Sequence, residues 1–374
     1  MTMSRLIAQT LLCAIAAFVM ATATAEVIPF DDDRWQIEAE ESSVSEYLGR
    51  NALKLHGGYA VLPGVNAEDG VIEFDIAVSE IRGFSGARFR LRDSSNFEHF
   101  YIRPHQSGNP DANQYTPVID GSTGWQLYYG ADYAAPVTYR FDEWMRVKLV
   151  YEGTRADIYI DSDEPVLRVR KLKRPVAAGS VGVDASNFSP AWFSNFEFSP
   201  LPDDYRFAPV EDNTKPLPPE AVSSWQVSDA FDIALVSETS VLPEDFVAAR
   251  TWTSLRAEPT GVTNLARVQG NKPGKNTVIA RLVVNSDREQ IKGLDFGYSD
   301  VVSVYVNGTR LYSGANLYES RDYRYLGTIG LFDSVYLPLK TGDNEVWFAV
   351  SEAFGGWGIQ AQFQNLDGIS VVSD

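Results

Sequence analysis

The sequence is poor in the side chains that many enzymes use for nucleophilic or metal chemistry. It has one cysteine, Cys13, and three histidines in 374 residues. Because Cys13 lies in an N-terminal apolar segment, the rest of the chain has no disulfide, no catalytic thiol and no cysteine-based zinc site. The chain also has no G-x-S-x-G elbow and no glycine-rich phosphate loop. The sequence therefore gives no support to thiol, α/β-hydrolase or P-loop chemistry.

Long apolar runs are confined to the N-terminus. Arg5 precedes the run LIAQTLLCAIAAFVM, and Ala23-Thr24-Ala25 supplies the small residues of a cleavage site. This pattern predicts a signal peptide over residues 1–25, cut before Glu26, and the run is short for a retained anchor. We therefore expect an exported protein, periplasmic or extracellular, with no membrane span after cleavage.

Basic side chains are scarce relative to acidic ones. The chain has 32 Lys and Arg against 50 Asp and Glu, a net charge of −18. Removal of residues 1–25 takes away Arg5 and no acid, which leaves 31 − 50 = −19. This acidity disfavours nucleic acid and anionic membranes as partners, whereas it is compatible with neutral polymers.

Helical periodicity is also scarce, and short alternating apolar runs with Gly, Asn and Asp turns take its place. The pattern predicts an all-β protein with two antiparallel β-sandwich (jelly-roll) domains, at residues 26–200 and 225–374. Residues 201–224 are proline-rich and are predicted to form a semi-rigid linker. The main predicted strands are 52–55, 59–62, 70–77, 88–92, 99–103, 144–151, 156–161, 179–183, 192–198, 277–284, 290–297, 301–306, 310–312, 333–339 and 345–350.

Two resemblances follow from the order of these motifs. G-x-I-E-F-D-I, an arginine-bearing strand, E-W-x-R-V-K-L-V-Y-E-G, D-I-Y-I-D, G-x-V-G-V and W-F-S-N-F-E-F resemble the concanavalin A-like (laminin G-like) jelly roll over about residues 27–200. V-Y-V-N-G-T-R-L, L-P-L-K-T-G-D-N-E-V-W-F-A-V and F-G-G-W-G resemble the galactose-binding-like jelly roll over about residues 225–365. The first resemblance implies a superfamily of lectins, carbohydrate-binding modules, glycoside hydrolases and a keto-disaccharide hydrolase group.

A polar and aromatic row between Arg88 and Tyr129 is the main candidate ligand site. Four of its side chains recur at every second position from 99 to 105, so a regular strand would place them on one face, opposite Phe100 and Ile102. Pro104 is expected to end or kink this strand. Planar hydrogen-bonding side chains suit sugars, whereas the alternatives are an ordinary exposed edge or a metal shared by two histidines across a sharp bend. The predicted ligand residues are His99, Tyr101, Arg103, His105, Gln106, Gln114, Tyr115, Trp125, Gln126 and Tyr128.

Within this row, the segment WQLYY leaves one question open. Gln126 and Tyr128 are expected to face the ligand groove. Trp125 either belongs to the core or lies at a loop tip, where it would be a stacking platform for a sugar ring.

Acidic side chains supply the candidates for hydrolysis. Glu73 and Asp75 share one face of the strand VIEFDI, and some concanavalin A-like glycosidases hold nucleophile and acid on such a strand. Those enzymes carry E-x-D-x-x-E, and the third acid is missing here at that spacing. If the protein is a hydrolase, its acids would come from Glu73, Asp75 or Glu98; the alternative for the strand pair is a solvated outer face.

The second domain carries another candidate cluster. Arg321 and Asp322 are expected to pair and orient a loop, while the glycines beside Trp357 allow close backbone approach. The cluster is either a second carbohydrate site or a network that holds the end of the jelly roll. Its members are Tyr298, Asp300, Arg321, Asp322, Glu352 and Trp357.

No cofactor is predicted. The acidic runs at 31–33 and 161–164 match no EF-hand loop but are compatible with a structural calcium, with solvated acids as the alternative. The leading hypothesis for function is recognition of a polysaccharide or glycoconjugate without catalysis. A glycan-active hydrolase and a structural or adhesive envelope protein are the alternatives.

Overall fold

The computed structural model describes residues 26–209, 215–321 and 326–372, which excludes the predicted signal peptide. Their regular structure is nearly all β-strand, as the alternation predicts. The described residues contain one α-helix, α1 (Glu244–Ala248), and three 3-10 turns. Within the same residues no helix is long and apolar enough to cross a membrane.

The first sandwich is built from thirteen strands that form one continuous hydrogen-bonded sheet. The strand order is β11-β10-β9-β4-β13-β3-β12-β5-β6-β7-β8, with β1 on β13 and β2 on β3. The strands are β1 (Glu26–Ile28), β2 (Gln36–Tyr47), β3 (Arg50–Ala67), β4 (Gly70–Ala77), β5 (Ser85–Asp93), β6 (Asn96–Ile102), β7 (Asn113–Ile119), β8 (Ser122–Thr123), β9 (Met145–Glu152), β10 (Arg155–Ile160), β11 (Leu167–Val169), β12 (Gly179–Ala185) and β13 (Ala191–Ser199).

Strand β3 joins the two layers of this sandwich. Its residues 53–55 pair with β13, and its residues 58–67 pair with β12. The sequence predicts a break at Gly57-Gly58, but the structure keeps one strand through these glycines. Gly57 has φ +64°, and a Cβ on Gly58 would lie 2.6 Å from Cβ of Ala39 on β2. The two glycines therefore allow β2 to stay paired with β3 at the bend where β3 passes from one layer to the other.

The core lies between the two layers. Ile72, Phe74 and Ile76 of β4 are fully buried, and they share one cluster with Phe89 of β5 and Phe100 of β6. Each such side chain contributes about 1.5–3 kcal/mol by leaving water. The alternation of β4 is as predicted, because its two carboxylates point away from this core.

The second sandwich has two sheets. One has the order β15-β14-β17-β22-β19-β20 with β24 on β17, and the other has the order β16-β23-β18-β21. The strands are β14 (Ser224–Ser228), β15 (Trp252–Arg256), β16 (Thr263–Asn264), β17 (Thr277–Ser286), β18 (Gln290–Ser299), β19 (Val301–Val306), β20 (Thr309–Ala315), β21 (Asp333–Leu339), β22 (Gly342–Ser351), β23 (Gly358–Phe363) and β24 (Ile369–Val372). Strand β17 is central, as predicted. Asn307 (φ 49°) and Gly308 (φ 81°) form the expected hairpin turn between β19 and β20.

Both described arms of the proline-rich segment pack against a sandwich. In the first arm, the Tyr205 hydroxyl donates to Asp157 at 2.8 Å, and the Arg155 guanidinium lies 4.8 Å from the Phe207 ring centroid. In the second arm, the Val222 N–H donates to the Ala361 carbonyl at 2.9 Å. The predicted linker is therefore attached to the folded domains on both sides of residues 210–214, which lie outside the described residues.

A buried carboxylate holds the two sandwiches together. Glu258 of the second sandwich accepts from the Tyr128 hydroxyl at 2.6 Å and from Lys173 Nζ at 2.6 Å. Arg267 Nη2 also donates to Glu258 at 3.2 Å and to the Lys173 carbonyl at 2.8 Å. Burial alone would raise the pKa of Glu258, but the Lys173 charge and these hydrogen bonds lower it. The carboxylate therefore stays ionised at neutral pH.

We predict that Glu258→Gln lowers the free energy of unfolding by about 3–5 kcal/mol, because it leaves the Lys173 ammonium buried without a counter-charge. The Lys173 side chain is only 5% exposed. Urea denaturation of the variant and the parent chain measures the difference. The control is Glu164→Gln, which breaks an exposed pair with Arg168 and should change stability by less than about 0.5 kcal/mol. Equal effects of the two substitutions would contradict this role for Glu258.

Candidate ligand-binding site

A cluster around Asp184 lies on the outer face of the sheet formed by β12, β5 and β6. Arg88 and His99 are register partners on neighbouring strands, and both reach Asp184 on β12. Arg88 Nε donates to Asp184 at 2.8 Å, and His99 Nε2 lies 3.0 Å from the same carboxylate. The Arg88 guanidinium also stacks 4.4 Å from the ring centroids of Tyr59 and Phe97. This cluster is a rigid network of charged and aromatic groups.

The electrostatics of the cluster favour the ionised carboxylate. Burial alone would raise the pKa of Asp184, but the charges and hydrogen bonds of His99 and Arg88 lower it to about 2. Asp184 therefore acts as a fixed acceptor for two side chains. It is poorly suited to act as a general acid near neutral pH.

A second network forms at the end of β6. Arg103 Nη1 donates to Asp111 at 2.8 Å, and its Nη2 donates to the Tyr101 hydroxyl at 3.2 Å. Arg103 also bonds to Gln114 Oε1, and the Gln114 amide donates to the Tyr128 carbonyl at 2.8 Å. These bonds fix the plane of the guanidinium and connect β6 to the loop that follows β8.

The four-residue row on one strand is a prediction that the structure corrects in part. His99 and Tyr101 lie opposite the core residues Phe100 and Ile102, as expected. The strand ends at Ile102, and Pro104 begins a 3-10 turn, Pro104–Gln106. His105 therefore lies in this turn and not on the strand, because proline cannot donate to the ladder.

An aromatic stripe continues from these networks onto the second sandwich. We define the stripe as Phe84, Phe188, Trp125, Tyr318 and Phe354, with the guanidinium groups of Arg82 and Arg103 between the rings. Ring centroids are 5.7 Å apart for Phe84 and Phe188, 5.8 Å for Trp125 and Phe354, and 6.2 Å for Trp125 and Tyr318. Arg103 links the two halves, since it lies 6.0 Å from the Phe84 centroid and 5.8 Å from that of Trp125.

The outer rings of the stripe are open to solvent. Phe188 and Phe354 are each 56% exposed, and Tyr318 is 37% exposed. Trp125 is half-buried, so the structure places it at a loop tip beside other rings and outside both cores. Exposed aromatic rings grouped around oriented polar side chains are typical of ligand-binding surfaces.

The two histidines do not approach a common metal. His99 is bonded to Asp184, whereas His105 packs 5.4 Å from the Phe84 centroid. Within the described part of the chain, no three His, Cys, Asp or Glu side chains form a metal-binding group, and that includes the acidic runs proposed for calcium. Asp32 and Asp161 of those runs bond to Arg34 and Arg140 instead.

Two predicted residues lie inside the first core. Tyr115 and Glu98 are fully buried, and the Tyr115 hydroxyl donates to Glu98 at 2.6 Å. Backbone N–H groups complete the network, because Lys173 donates to Tyr115 and Arg174 to Glu98. Burial raises the pKa of Glu98, and these bonds only partly offset the shift. Neither side chain has a face toward solvent, so the location of Glu98 disfavours it as a hydrolytic acid.

Gln126 and Tyr128 lie at the junction of the sandwiches and not in an open groove. The Gln126 side chain donates to the Leu326 carbonyl at 2.9 Å and accepts from Ser299 Oγ at 3.0 Å. Its backbone N–H donates to the Gly355 carbonyl at 2.9 Å. The burial of Gln126 and Tyr128 favours a role in docking the two sandwiches. Ligand binding by these two residues, and by the half-buried Gln106, stays a prediction.

Glu73 and Asp75 share the outer face of β4, as predicted. Arg146 on β9 lies within 3.1 Å of Glu73 and 3.7 Å of Asp75. Asp75 also bonds to Arg50 and to the Asn195 amide. Both carboxylates are therefore part of an ion-pair network on the layer opposite to the stripe. This arrangement disfavours a pair of free catalytic acids.

In the second sandwich, Arg321 pairs with Asp333 and its Nη2 donates to the Tyr298 hydroxyl at 3.3 Å. The predicted partner, Asp322, lies outside the described residues. Trp357 is fully buried, and its indole N–H donates to the Val350 carbonyl at 3.0 Å. Trp357 is therefore a core residue and not a platform for a sugar.

Asp300 and Glu352 hold the loop that carries Phe354. Asp300 accepts from the backbone N–H groups of Ala353 and Phe354, each at 2.7 Å, and Glu352 accepts from that of Gly356 at 3.0 Å. Burial raises the pKa of both carboxyl groups, and the nearby Asp300 charge raises that of Glu352 further. These contacts favour the interpretation of the second cluster as a network that holds the end of the jelly roll, and not as a second carbohydrate site. They place the loop against the first sandwich.

The glycines of this loop allow the close approach that the sequence predicts. Gly355 has φ +101°, and a Cβ there would lie 2.5 Å from the Gln126 side chain. A Cβ on Gly356 would lie 3.0 Å from Leu127. The segment that approaches these glycines is the loop of the first sandwich that carries Gln126 and Leu127.

Sequence reasoning missed several residues of the site. They come from one strand and four separate loops, and they are Asp184, Arg82, Phe84, Phe188, Tyr318 and Phe354. Exposed phenylalanines in polar loops were the available signal for Phe188 and Phe354. Asp184 follows G-x-V-G-V directly, and a carboxylate at the end of an apolar strand was the signal for it.

Comparisons with known proteins give only distant structural matches. No protein-family model matches the chain, and no curated protein does. Similar solved structures include the carbohydrate binding module CBM66 from Bacillus subtilis (17% identity, TM-score 0.34, 44% of this chain and 96% of that one). A protein of unknown function with galectin-like fold from Bacillus subtilis (12%, 0.35, 47% and 97%) and the Bacillus licheniformis beta-glucanase (11%, 0.33, 48% and 98%) are also similar.

We predict that Asp184 gives the protein an acid-dependent component of stability. Its folded pKa of about 2 lies below the ordinary aspartate pKa of 3.8, so the stabilisation is complete above about pH 4 and is lost as the pH falls toward 2. The shift corresponds to about 2 kcal/mol. Urea denaturation between about pH 6 and pH 2 measures it. Asp184→Asn should be less stable at about pH 6 and show a shallower loss in this window.

The matched control is Asp163→Asn, which changes an exposed carboxylate and should keep the parental pH profile. If Asp184→Asn has the same slope below about pH 4 as the parent, the cluster contributes no such component.

Proposed function

We propose that this protein is an exported, non-catalytic carbohydrate-binding protein whose ligand lies along the aromatic stripe. The single observation that supports this most is the group of rings, half-buried Trp125 and exposed Tyr318 and Phe354, beside the oriented guanidinium of Arg103. Sugar rings present C–H faces to aromatic rings and hydroxyl edges to planar hydrogen-bonding groups. The stripe offers both kinds of contact at once.

The stripe is also preorganised. Arg103 is held by Asp111, Tyr101 and Gln114, and Phe354 is held through its backbone by Asp300. A surface whose side chains are fixed before binding loses less conformational entropy when a ligand arrives. Such a surface suits recognition of a glycan by a short row of contacts.

Catalysis has weaker support from the positions of the acids. Of the carboxylates beside the stripe or its flanking cluster, Asp111 and Asp184 are each bonded to an arginine, and Asp300 and Glu352 are bonded to backbone N–H groups of the Phe354 loop. A glycosidase needs one carboxyl group that is free to protonate the leaving group and a second one across the scissile bond. We therefore favour binding over hydrolysis.

The proposal predicts that the chain from residue 26 binds a glycan and releases it intact. Tyr318→Ala should weaken binding by about tenfold, or about 1.4 kcal/mol, since one stacking face is lost. A glycan array identifies the ligand, isothermal titration calorimetry measures the affinity, and mass spectrometry of the recovered glycan tests for cleavage.

Tyr336→Ala is the matched control, because Tyr336 is an exposed tyrosine of β21 outside the stripe. It should bind like the parent chain. Equal losses in both variants would contradict a site at the stripe. Cleaved glycan would replace the proposal with the hydrolase alternative, and no binding across a broad array would favour the adhesive alternative.

A further inference from the structure

The stripe carries two guanidinium groups although the chain as a whole is acidic, and the Asp111 and Glu319 carboxylates lie beside it. The chain has a net charge of −18, yet Arg82, Arg103 and His105 all lie at the stripe. Arg88 and Arg103 are each paired with a carboxylate. Arg82 is exposed and, among the residues that the structure describes, makes no ion pair; its contacts are with the rings of Phe84 and Phe188.

The position of Arg82 leaves its hydrogen-bonding edge available. Its guanidinium carbon lies 4.8 Å from the Phe188 centroid and 6.0 Å from that of Phe84. Stacking on a ring uses the face of a guanidinium and leaves the N–H groups in its plane for a ligand. Planar N–H pairs of this kind match the two oxygens of a carboxylate or sulfate.

Two buried nitrogen atoms beside Arg82 lack a hydrogen-bond partner. Arg103 Nε and His105 Nδ1 are buried and, within the described ranges, have no hydrogen-bond partner. Burial lowers the pKa of His105, and the positive charges of Arg82 and Arg103 lower it further. The Asp111 carboxylate acts in the opposite direction, so these three side chains together place a positive field at His105. A bound anion would offset this field.

We propose that the stripe recognises a saccharide that carries an anionic substituent, a carboxylate or a sulfate, and that Arg82 contacts this group. The inference rests on the proposed function, since it assigns a charge class to the ligand of the same site. The aromatic rings bind the sugar faces, while Arg82 selects the charged ring. The acidity of the rest of the chain limits the attraction to this local site.

The test compares charged saccharides with neutral forms of the same length. Isothermal titration calorimetry uses the chain from residue 26 with tetragalacturonate and its methyl ester, and with a sulfated galactan tetrasaccharide and its desulfated form. The charged member of at least one pair should bind about tenfold tighter than its neutral counterpart. Raising the salt from about 50 mM to about 500 mM should weaken only the charged form. The pair that shows the preference identifies the anionic group.

Arg82→Gln should reduce the preference to about one by weakening the charged forms more than the neutral ones, since it removes the charge contact. Arg288→Gln is the matched control, because Arg288 is an exposed arginine of the second sandwich that pairs with Asp287. It should keep the full preference. Thermal melting of both variants checks that they fold like the parent.

The outcomes separate this inference from the function on which it rests. Equal binding of charged and neutral forms, or an Arg82→Gln variant that keeps the preference, overturns the charge inference and leaves carbohydrate binding intact. Absence of binding to all four saccharides and to the glycan array overturns both. Loss of binding to charged and neutral forms alike in Arg82→Gln also overturns the charge inference, because Arg82 would then support the whole site.

Discussion

The buried carboxylate of Glu258 is the contact on which the arrangement of the two sandwiches depends. It accepts from Tyr128 and Lys173 of the first sandwich and from Arg267 of the second. A buried charge is tolerated only when it is paired and hydrogen-bonded, and here each partner satisfies the other. Because Tyr128 and Gln126 lie in one short loop, the same docking fixes Trp125 at the edge of the junction. The position of the stripe therefore follows from the electrostatics of the junction.

The candidate site combines fixed polar groups with open aromatic ones. On the first sandwich, Asp184 and Arg103 each belong to a closed network that holds side chains in one orientation. On the second, Asp300 holds the backbone of the loop that presents Phe354. Neither sandwich supplies all the rings by itself, so the surface exists only when the two are docked. The buried carboxyl groups of Asp300 and Glu352, whose pKa values are raised, lie beside this surface and hold the loop that carries Phe354.

The local patterns predicted the polar row better than they predicted the roles of its members. Alternation placed His99 and Tyr101 on the outer face of β6, and the structure confirms this placement. The same alternation could not show that Tyr115 points into the core toward Glu98, because both faces of that strand are covered. Nor could it show that Gln126 is enclosed, since its partners are about two hundred residues away along the chain.

The sequence by itself determined the strand pattern, the Asn307-Gly308 turn and the all-β class, because side-chain alternation and turn chemistry act over a few residues. It also determined the overall charge and the scarcity of cysteine and histidine. Only the tertiary structure decided which polar residues face solvent, since that depends on what packs against them. It brought Phe188, Arg103 and Phe354 into one surface, and it turned Tyr128 from a predicted groove residue into a contact of the Glu258 junction. The physical reason is that burial and pairing are set by contacts between segments distant in sequence, which no local pattern records.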